Sequence, residues 1–216
     1  DSVASRGLGD VYKRQIMLDS HYTNTHVFTQ VFNQPDRFGG DEQFAEGLVN
    51  RLSILSAAPT SQKDTGSAPY VKTSVFGGGN IKDSIWNFSG ISAPIKLLQD
   101  NTYGVGVTVT TPPLPDTPNF DGTVRSAPLI VSANDQIYPS VALETLRAFY
   151  DQPNYQTRVT PEVGIEWIRM GRQPPIETTS TSDVMITYWN KFQRVSASVS
   201  YTHLRAHETL RYLVCR

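Results

Sequence analysis

Only the central part of this 216-residue chain has a hydrophobic pattern that can specify a fold. Residues 5–15 and 199–209 show neither the 3.6-residue period of a helix nor the alternation of a strand. The part between them, residues 16–198, has a length typical of one domain. A chain of that length can bury a hydrophobic core without disulfides or metals. We therefore expect the fold to be confined to residues 16–198.

The two end segments are also related as antisense translations of one DNA sequence. Residues 10–15 can be encoded by GAT GTG TAT AAG AGA CAG, and the reverse complement in a shifted frame encodes residues 199–203. This DNA resembles the transposase adapter used to prepare shotgun sequencing libraries. Segments of this kind are excluded from reasoning about a fold. We expect residues 1–15 and 199–216 to be adapter-derived and to form no domain.

Charge and cysteine content exclude several classes of function for residues 16–198. Six of the 19 Lys and Arg and three of the 20 Asp and Glu lie in the two ends, which leaves a net charge of −4. A domain with this charge lacks the basic surface that binds nucleic acid. The one cysteine, Cys215, lies in an end segment, so thiol catalysis and a Cys-rich metal site are not expected. No apolar run approaches the ~18 residues of a membrane helix.

The spacing of apolar residues predicts helices and strands along residues 16–198. Helical spacing predicts helices at 41–52, 93–98 and 139–150. Asp41 is the expected N-cap of the first helix, and Pro139 is expected in the first turn of the last. Alternating apolar and β-branched residues predict strands at 25–32, 53–57, 70–76, 105–109, 124–131, 163–167 and 184–188. This order predicts an α/β fold, a single layered domain with a mixed sheet flanked by helices.

Two loops have a partial likeness to ligand-binding loops. The glycine run 77–80 lacks the Lys and Ser/Thr that a phosphate-binding loop needs directly after its glycines. Residues 117–122 place oxygen ligands before a glycine, as a calcium loop does, but Pro128 occupies the position of the required bidentate Glu. Both segments are therefore interpreted as ordinary loops.

The histidines and tryptophans give no stronger indication of a site. His21 and His26 have no acidic or third histidine partner at a metal-ligand spacing, so an exposed or edge-strand position is favoured. Trp86, Trp167 and Trp189 are candidates for lining a ligand cleft, although aromatic side chains more often belong to a core or its rim. No catalytic, cofactor-binding or metal-binding residue is assigned.

Four segments resemble, in the same order, the motifs of the CHASE type 2 domain family. Residues 120–130, Phe-Asp-Gly-Thr-Val-Arg-Ser-Ala-Pro-Leu-Ile, are similar to its signature Asp-Gly-hydrophobic-Arg-Arg-x-Pro-Leu. Residues 138–144, Tyr-Pro-Ser-Val-Ala-Leu-Glu, are similar to the start of its helix. Earlier in the chain, residues 33–37 and 41–45 are similar to another stretch of the family, and later Ile176 and residues 184–189 match its late strand. Order and spacing agree over most of residues 31–189.

The resemblance implies a function in signal reception. Domains of this family are the extracytoplasmic sensing domains of membrane-bound bacterial nucleotide cyclases and protein kinases. A small molecule or protein would shift a conformational equilibrium that the membrane helices of the parent protein transmit to a cytoplasmic output domain. The resemblance implies no cofactor and no enzymatic activity in this domain. It places the domain on the periplasmic face of the membrane, in a parent for which a homodimer is one option.

The residues that carry the signature are expected to shape the fold. They are Asp121, Gly122, Arg125, Pro128, Leu129, Tyr138, Pro139, Ser140 and Glu144. The Asp-Gly pair is typical of a hairpin turn, and Arg125 is expected on the exposed side of the next strand or paired with a carboxylate. Pro128 limits the hydrogen bonding of that strand.

The chain also departs from the family pattern. Ser126 stands where a second basic residue is common, and Trp189 stands where the family prefers arginine. The opening strand and helix of the family would precede residue 16, and its closing strand would follow residue 198. We therefore expect a partial domain, incomplete at both ends. One alternative is a fragment of a soluble or secreted α/β enzyme whose catalytic residues lie outside it, and another is an adhesive or structural surface domain.

Overall fold

A computed structural model describes residues 25–37, 39–61, 74–76, 79–110 and 123–188. Over these ranges the helices are α1 (Gly40–Leu48), α2 (Lys96–Asn101) and α3 (Val141–Phe149), with a 3-10 turn at Ile81–Asp83. The first strands are β1 (His26–Val31), β2 (Ser53–Thr60), β3 (Ser74–Phe76), β4 (Asn87–Phe88), β5 (Gly90–Ser92), β6 (Gly104–Val107) and β7 (Ser126–Pro128). The remaining strands are β8 (Ile130–Ala133), β9 (Gln136–Pro139), β10 (Tyr155–Thr160), β11 (Gly164–Met170), β12 (Ile176–Glu177) and β13 (Asp183–Met185). The predicted α/β class is confirmed.

A parallel sheet with the order β1-β2-β6 forms one half of the fold, and β5 pairs antiparallel with the end of β2. Alternate residues of β2 and β6 point to the same face, because side chains alternate along a strand. One face packs against α1 and α2 in the first core. Its members include Phe44, Leu48, Leu55, Ala57, Leu98, Val105 and Val107.

Helix α3 lies against the opposite face of this sheet, where β6 has glycine at both outward positions. A Cβ atom on Gly106 would lie 2.5 Å from the Cα of Val141 and 2.7 Å from its nitrogen. A Cβ atom on Gly104 would lie 2.1 Å from a carboxylate oxygen of Glu144. The alternation of glycine with valine in β6 therefore lets the helix backbone approach the sheet directly.

A second sheet, β12-β11-β10-β3, encloses the second core. The inward residues of β10 and β11 are buried, among them Tyr155, Val159, Ile165, Ile168 and Met170. Strands β4, β8 and β9 form a third sheet, and β7 pairs antiparallel with β13. Strand β8 joins the two halves, because Ile130 lies in the second core whereas Val131 and Ala133 lie in the first.

Helix α1 differs from the predicted helix at both ends. Gly39, in a left-handed conformation with φ 73°, precedes the first turn, so Asp41 is not the N-cap. The Asp41 carboxylate instead accepts a 2.6 Å hydrogen bond from the backbone nitrogen of Asp36. The helix ends at Leu48, four residues early, because Val49 is extended and Asn50 has a φ of 60°.

The predicted strand at 124–131 is divided into β7 and β8. The break lies at Leu129, whose nitrogen donates to the carbonyl of Ser182 instead of a ladder partner. Pro139 is also placed differently, because it is the last residue of β9 and pairs with Ile130. Ser140 caps α3 by accepting a 3.2 Å hydrogen bond from the nitrogen of Leu143.

The other predicted elements are found with shifted bounds. The predicted helix at 93–98 begins three residues later, as α2, because Ile95 lies outside the helical region, with φ −59° and ψ 149°. The strand predicted at 53–57 continues to Thr60, and the strand at 163–167 continues to Met170. The predicted strand at 184–188 is confined to β13, and residues 70–73 of another lie outside the described ranges. Within the described ranges no helix is long and apolar enough to cross a membrane.

Candidate ligand-binding cleft

A polar cleft of about 500 Å³ lies between three separate segments of the chain. The first wall is formed by residues at the two ends of the 3-10 turn, namely Gly79, Asn80, Asp83 and Ser84. The second is the end of β10 with the turn between β10 and β11, and the third is Ser180 with Thr181. The three walls come from segments far apart in sequence. Their assembly therefore depends on the packing of the second core beneath them.

The first wall is held in place by its own cap and by a buried anchor. The Asn80 side chain accepts a 3.3 Å hydrogen bond from the nitrogen of Lys82 and so caps the 3-10 turn. Ile81 is 6% exposed and belongs to the second core. Gly79 packs closely on β10, since a Cβ atom there would lie 2.6 Å from the Cγ1 of Val159. These contacts leave Asp83 and Ser84 facing the cleft.

The second wall is the hairpin turn at residues 160–164. The nitrogen of Val163 donates to the carbonyl of Thr160 at 3.2 Å. Glu162 and Gly164 both have positive φ angles, 69° and 92°. Glycine is required at 164 for a second reason, because a Cβ atom would lie 2.6 Å from the carbonyl oxygen of Ser180. The second and third walls are therefore in direct backbone contact.

The third wall is a tight turn, residues 179–183, that leads into β13. The nitrogen of Thr179 donates to the carbonyl of Asp183 at 2.9 Å, and the nitrogen of Ser182 donates to the carbonyl of Thr179 at 3.0 Å. The Thr181 hydroxyl donates to the Asp183 carboxylate at 2.8 Å. Ser182 is fully buried, and its hydroxyl donates to the carbonyl of Ile130 at 2.9 Å. The turn is thus held by hydrogen bonds between its own residues and by one hydrogen bond to β8.

The charges around the cleft are all negative among the described residues that line it. Asp83 and Glu162 are exposed carboxylates, and the same set contains no Lys, Arg or His. The other polar groups are the amide of Asn80 and the hydroxyls of serine and threonine. Such a surface attracts hydrogen-bond donors and cations and repels anions. The arrangement suits a small neutral or cationic ligand with several hydrogen-bonding groups.

Two hydroxyls at the cleft have carboxylate partners, that of Thr181 with Asp183 and that of Thr160 with Glu166. The Thr160 hydroxyl donates to a carboxylate oxygen of Glu166 across the hairpin. A hydroxyl beside a base is the arrangement of nucleophilic catalysis. Here the second oxygen of Glu166 is 3.1 Å from the Nε of Arg158. A carboxylate already paired with a guanidinium is a poor general base, so this contact is better explained as a cross-strand ladder.

A separate ionic group lies on α3, where one residue of the family signature is found. Glu144 is 1% exposed, and its carboxylate accepts two hydrogen bonds from Arg147, at 2.8 Å from Nε and 2.5 Å from Nη2. Nη1 of Arg147 donates to the carbonyl of Gln152 at 2.8 Å. The hydrogen bonds to Glu144 raise the pKa of Arg147 above its ordinary value. The ion pair therefore links α3 to the loop that follows it, beside Gly104 of β6.

Tyr103 extends the same group to the surface. Its hydroxyl donates to a carboxylate oxygen of Asp151 at 2.9 Å, and the Arg147 guanidinium lies 5.5 Å from the centre of its ring. The hydrogen bond to Asp151 raises the pKa of Tyr103 above its ordinary value, because the neutral phenol is the donor. These contacts fasten the loop after α3 to the beginning of β6.

The remaining signature residues lie near the start of α3 and along β7. Tyr138 is 5% exposed, with its hydroxyl 3.0 Å from the side-chain oxygen of Gln136. Pro128 ends β7 opposite Asp183, and Leu129 is buried in the second core. Arg125 is exposed just before β7, and its Nη1 donates to the carbonyl of Thr123 at 3.4 Å. Asp121 and Gly122 lie outside the described residues.

The other sequence candidates are not brought to the cleft. His26 is half-buried on β1, opposite Ser53, and β1 is an edge strand of its sheet among the described residues. Trp86 is exposed, and Trp167 stacks with the guanidinium of Arg169 at 5.3 Å on β11. His21, Trp189 and residues 117–122 lie outside the described ranges. In the described part of the chain, no group of three His, Cys, Asp or Glu is placed to hold a metal ion.

The cleft itself is not predicted from the sequence. Gly79 and Asn80 belong to the glycine run that the sequence assigns to an ordinary loop, whereas the structure places both residues in the cleft. Ser180 and Thr181 belong to a run of five hydroxyl residues, 178–182, between two strands. That run is the one local signal that could have indicated a polar binding wall.

Comparison of the chain with models of protein families, with curated proteins and with solved structures gives no significant match.

Proposed function

We propose that this chain is the sensory domain of a membrane-bound bacterial signalling receptor, and that the polar cleft receives the signal. The domain lies on the extracytoplasmic face and acts through a cytoplasmic nucleotide cyclase or protein kinase. Its ligand is a small neutral or cationic molecule. The domain itself carries out no reaction, and its response is a change in conformation.

The observation that carries this proposal is the construction of the cleft. Three segments supply hydrogen-bonding groups around a volume of about 500 Å³, which is within the range of small-molecule sites. Of its two hydroxyl-carboxylate contacts, Thr160 meets Glu166, which is also paired with Arg158. Thr181 meets Asp183, which is buried in the β7–β13 ladder. Groups of this kind bind and orient a ligand without activating it.

The resemblance to CHASE type 2 domains supports the same function from the sequence. Its motifs extend over residues 31–189, and in the structure several of their residues pack around β7, β9 and α3. Ser140 caps α3, and Glu144 forms a buried ion pair. Such roles belong to a scaffold, as expected for a domain whose ligand varies among receptors.

We expect the cleft to select ligands by charge. In a thermal-shift screen of the full chain, stabilising compounds should be primary amines and neutral polyols, and carboxylates and phosphates should have no effect. At 100 times its Kd a ligand adds about 2.7 kcal/mol of stability. That corresponds to roughly 5–10 °C in Tm for a chain of this size.

Two charge-reversal substitutions, one in the cleft and one outside it, test whether the negative charge of the cleft is responsible. Asp83→Lys places a cation at the cleft and should abolish the shift produced by an amine. Glu46→Lys makes the same change at an exposed position of α1, outside the cleft, and should leave the shift intact. Stabilisation by anions alone, or by an amine equally in both variants, would contradict the proposal. So would conversion of ATP or GTP by the purified chain.

A further inference from the structure

We infer that the turn at residues 179–183 transmits occupancy of the cleft to the β7–β13 pair. This inference rests on the proposed function, because it assigns the regulation of the same cleft. Ser180 and Thr181 line the cleft, and two residues later Asp183 begins β13. Ligand contact and strand pairing are therefore properties of one short segment.

The Thr181 hydroxyl is the group that links the two. It lies at the cleft and donates to the carboxylate of Asp183 at 2.8 Å. Asp183 is only 7% exposed and pairs with Pro128 in the β7–β13 ladder. A ligand acceptor that takes the Thr181 hydrogen bond withdraws it from Asp183. The first pair of the ladder then loses one of the bonds that position it.

The backbone of the turn is held in a conformation that it would not adopt unaided. Ser182 has a φ of 70°, in the left-handed region. A residue with a Cβ atom is disfavoured there by about 1–2 kcal/mol. The bond from its hydroxyl to Ile130 and the bond from the nitrogen of Leu129 to its carbonyl, 2.9 and 3.0 Å, hold it in place. Strain of this kind is characteristic of switch segments.

The β7–β13 pair is short enough for the loss of one contact to open it. Strand β13 has three residues, and its described partner is β7, also of three residues. One further bond, from the nitrogen of Ile186 to the carbonyl of Arg125 at 2.8 Å, extends the pairing. Short two-stranded ribbons have little stability of their own. A loss of one supporting hydrogen bond is therefore sufficient to shift the population of the open pair.

Hydrogen exchange on the full chain tests this inference without knowledge of the natural ligand. Cys215→Ser removes the one native thiol, and Ser84→Cys places a new thiol on the first wall of the cleft. Labelling with 2-hydroxyethyl methanethiosulfonate then places in the cleft a small neutral group whose hydroxyl oxygen can accept the Thr181 hydrogen bond. We expect labelling to speed exchange in residues 183–188 by about fivefold or more, the size of a typical coupling. Asp83→Cys offers a second attachment point if Ser84→Cys does not fold.

Two controls separate coupling from a merely structural role of the turn. Thr181→Val should speed exchange in residues 183–188 before labelling, and labelling should then add nothing. The same label on Glu46→Cys, in α1, should have no effect. Unchanged exchange after labelling in the cleft, or an equal change in Thr181→Val, would overturn the inference. The proposed function fails separately, in the ligand screen, since the label needs no natural ligand.

Discussion

Arg147→Met is expected to lower the free energy of unfolding by about 3–5 kcal/mol, the usual cost of removing one partner from a buried ion pair. Glu144 is 1% exposed, so its buried carboxylate would lose the guanidinium that satisfies both of its oxygens. The carbonyl of Gln152 would lose its donor as well. The measurement is urea unfolding of the purified chain, followed by circular dichroism.

Two comparisons show whether buried charge is the cause. Adding Glu144→Gln to Arg147→Met removes the uncompensated carboxylate and should recover at least half of the lost stability. Lys96→Met breaks the exposed pair with Asp100 and should change stability little. A loss in Arg147→Met no larger than that in Lys96→Met would contradict the assigned role.

Gly106→Ala is expected to lower the free energy of unfolding by about 3 kcal/mol, at the upper end of the range for overpacked cores. The added Cβ atom would meet the backbone of Val141 at 2.5 Å, and backbone atoms have no rotamer with which to move away. Helix α3 would have to lift from the sheet. We expect Tm to fall by roughly 6–12 °C, at about 2–4 °C per kcal/mol.

Gly39→Ala is the matched control for this substitution. Gly39 has a φ of 73°, yet no heavy atom lies within 4 Å of an added Cβ atom. Gly39→Ala should lower the free energy of unfolding by only about 1–2 kcal/mol, the cost of a left-handed backbone conformation for a residue with a Cβ atom. If Gly106→Ala lowers the free energy of unfolding by no more than Gly39→Ala does, then α3 does not pack on β6 as described.

The elements that the sequence predicts well are those whose signals are local. Val105 and Val107 alternate with glycine on β6, and apolar residues at helical spacing from Val141 onward mark α3. Bounds are wrong where a distant contact decides them. Leu129 interrupts a run of strand-forming residues because Ser182, 53 residues later, accepts the hydrogen bond of its nitrogen. No local pattern contains that information.

Strand β10 illustrates a different limit. Tyr155, Thr157 and Val159 alternate as a strand requires, and all three are buried. The inward position occupied by threonine weakens the hydrophobic signal, so the sequence does not predict this strand. Because β10 ends at the turn that forms one wall of the cleft, the same weakness hides part of the site.

The cleft could not have been assembled from sequence for a geometric reason. The residues that line it form three groups, which begin at residues 79, 159 and 180, and each group contains ordinary turn residues. Their approach depends on two positions, Gly79 and Gly164, that allow backbone and side chains within 3 Å of where a Cβ atom would lie. A glycine in a turn can also serve a positive φ angle, so the sequence alone does not indicate that close packing requires it.

Recovery of the source DNA across both ends of the chain tests the central claim, a receptor's sensory domain, most directly. We predict a reading frame that continues from residues 16 and 198 into sequence unrelated to residues 1–15 and 199–216. It should encode membrane-spanning helices on both sides of the domain and a cyclase or kinase domain after them. A genome that encodes the two end segments themselves, or a frame for a cytosolic protein with no membrane-spanning helix, would contradict the claim.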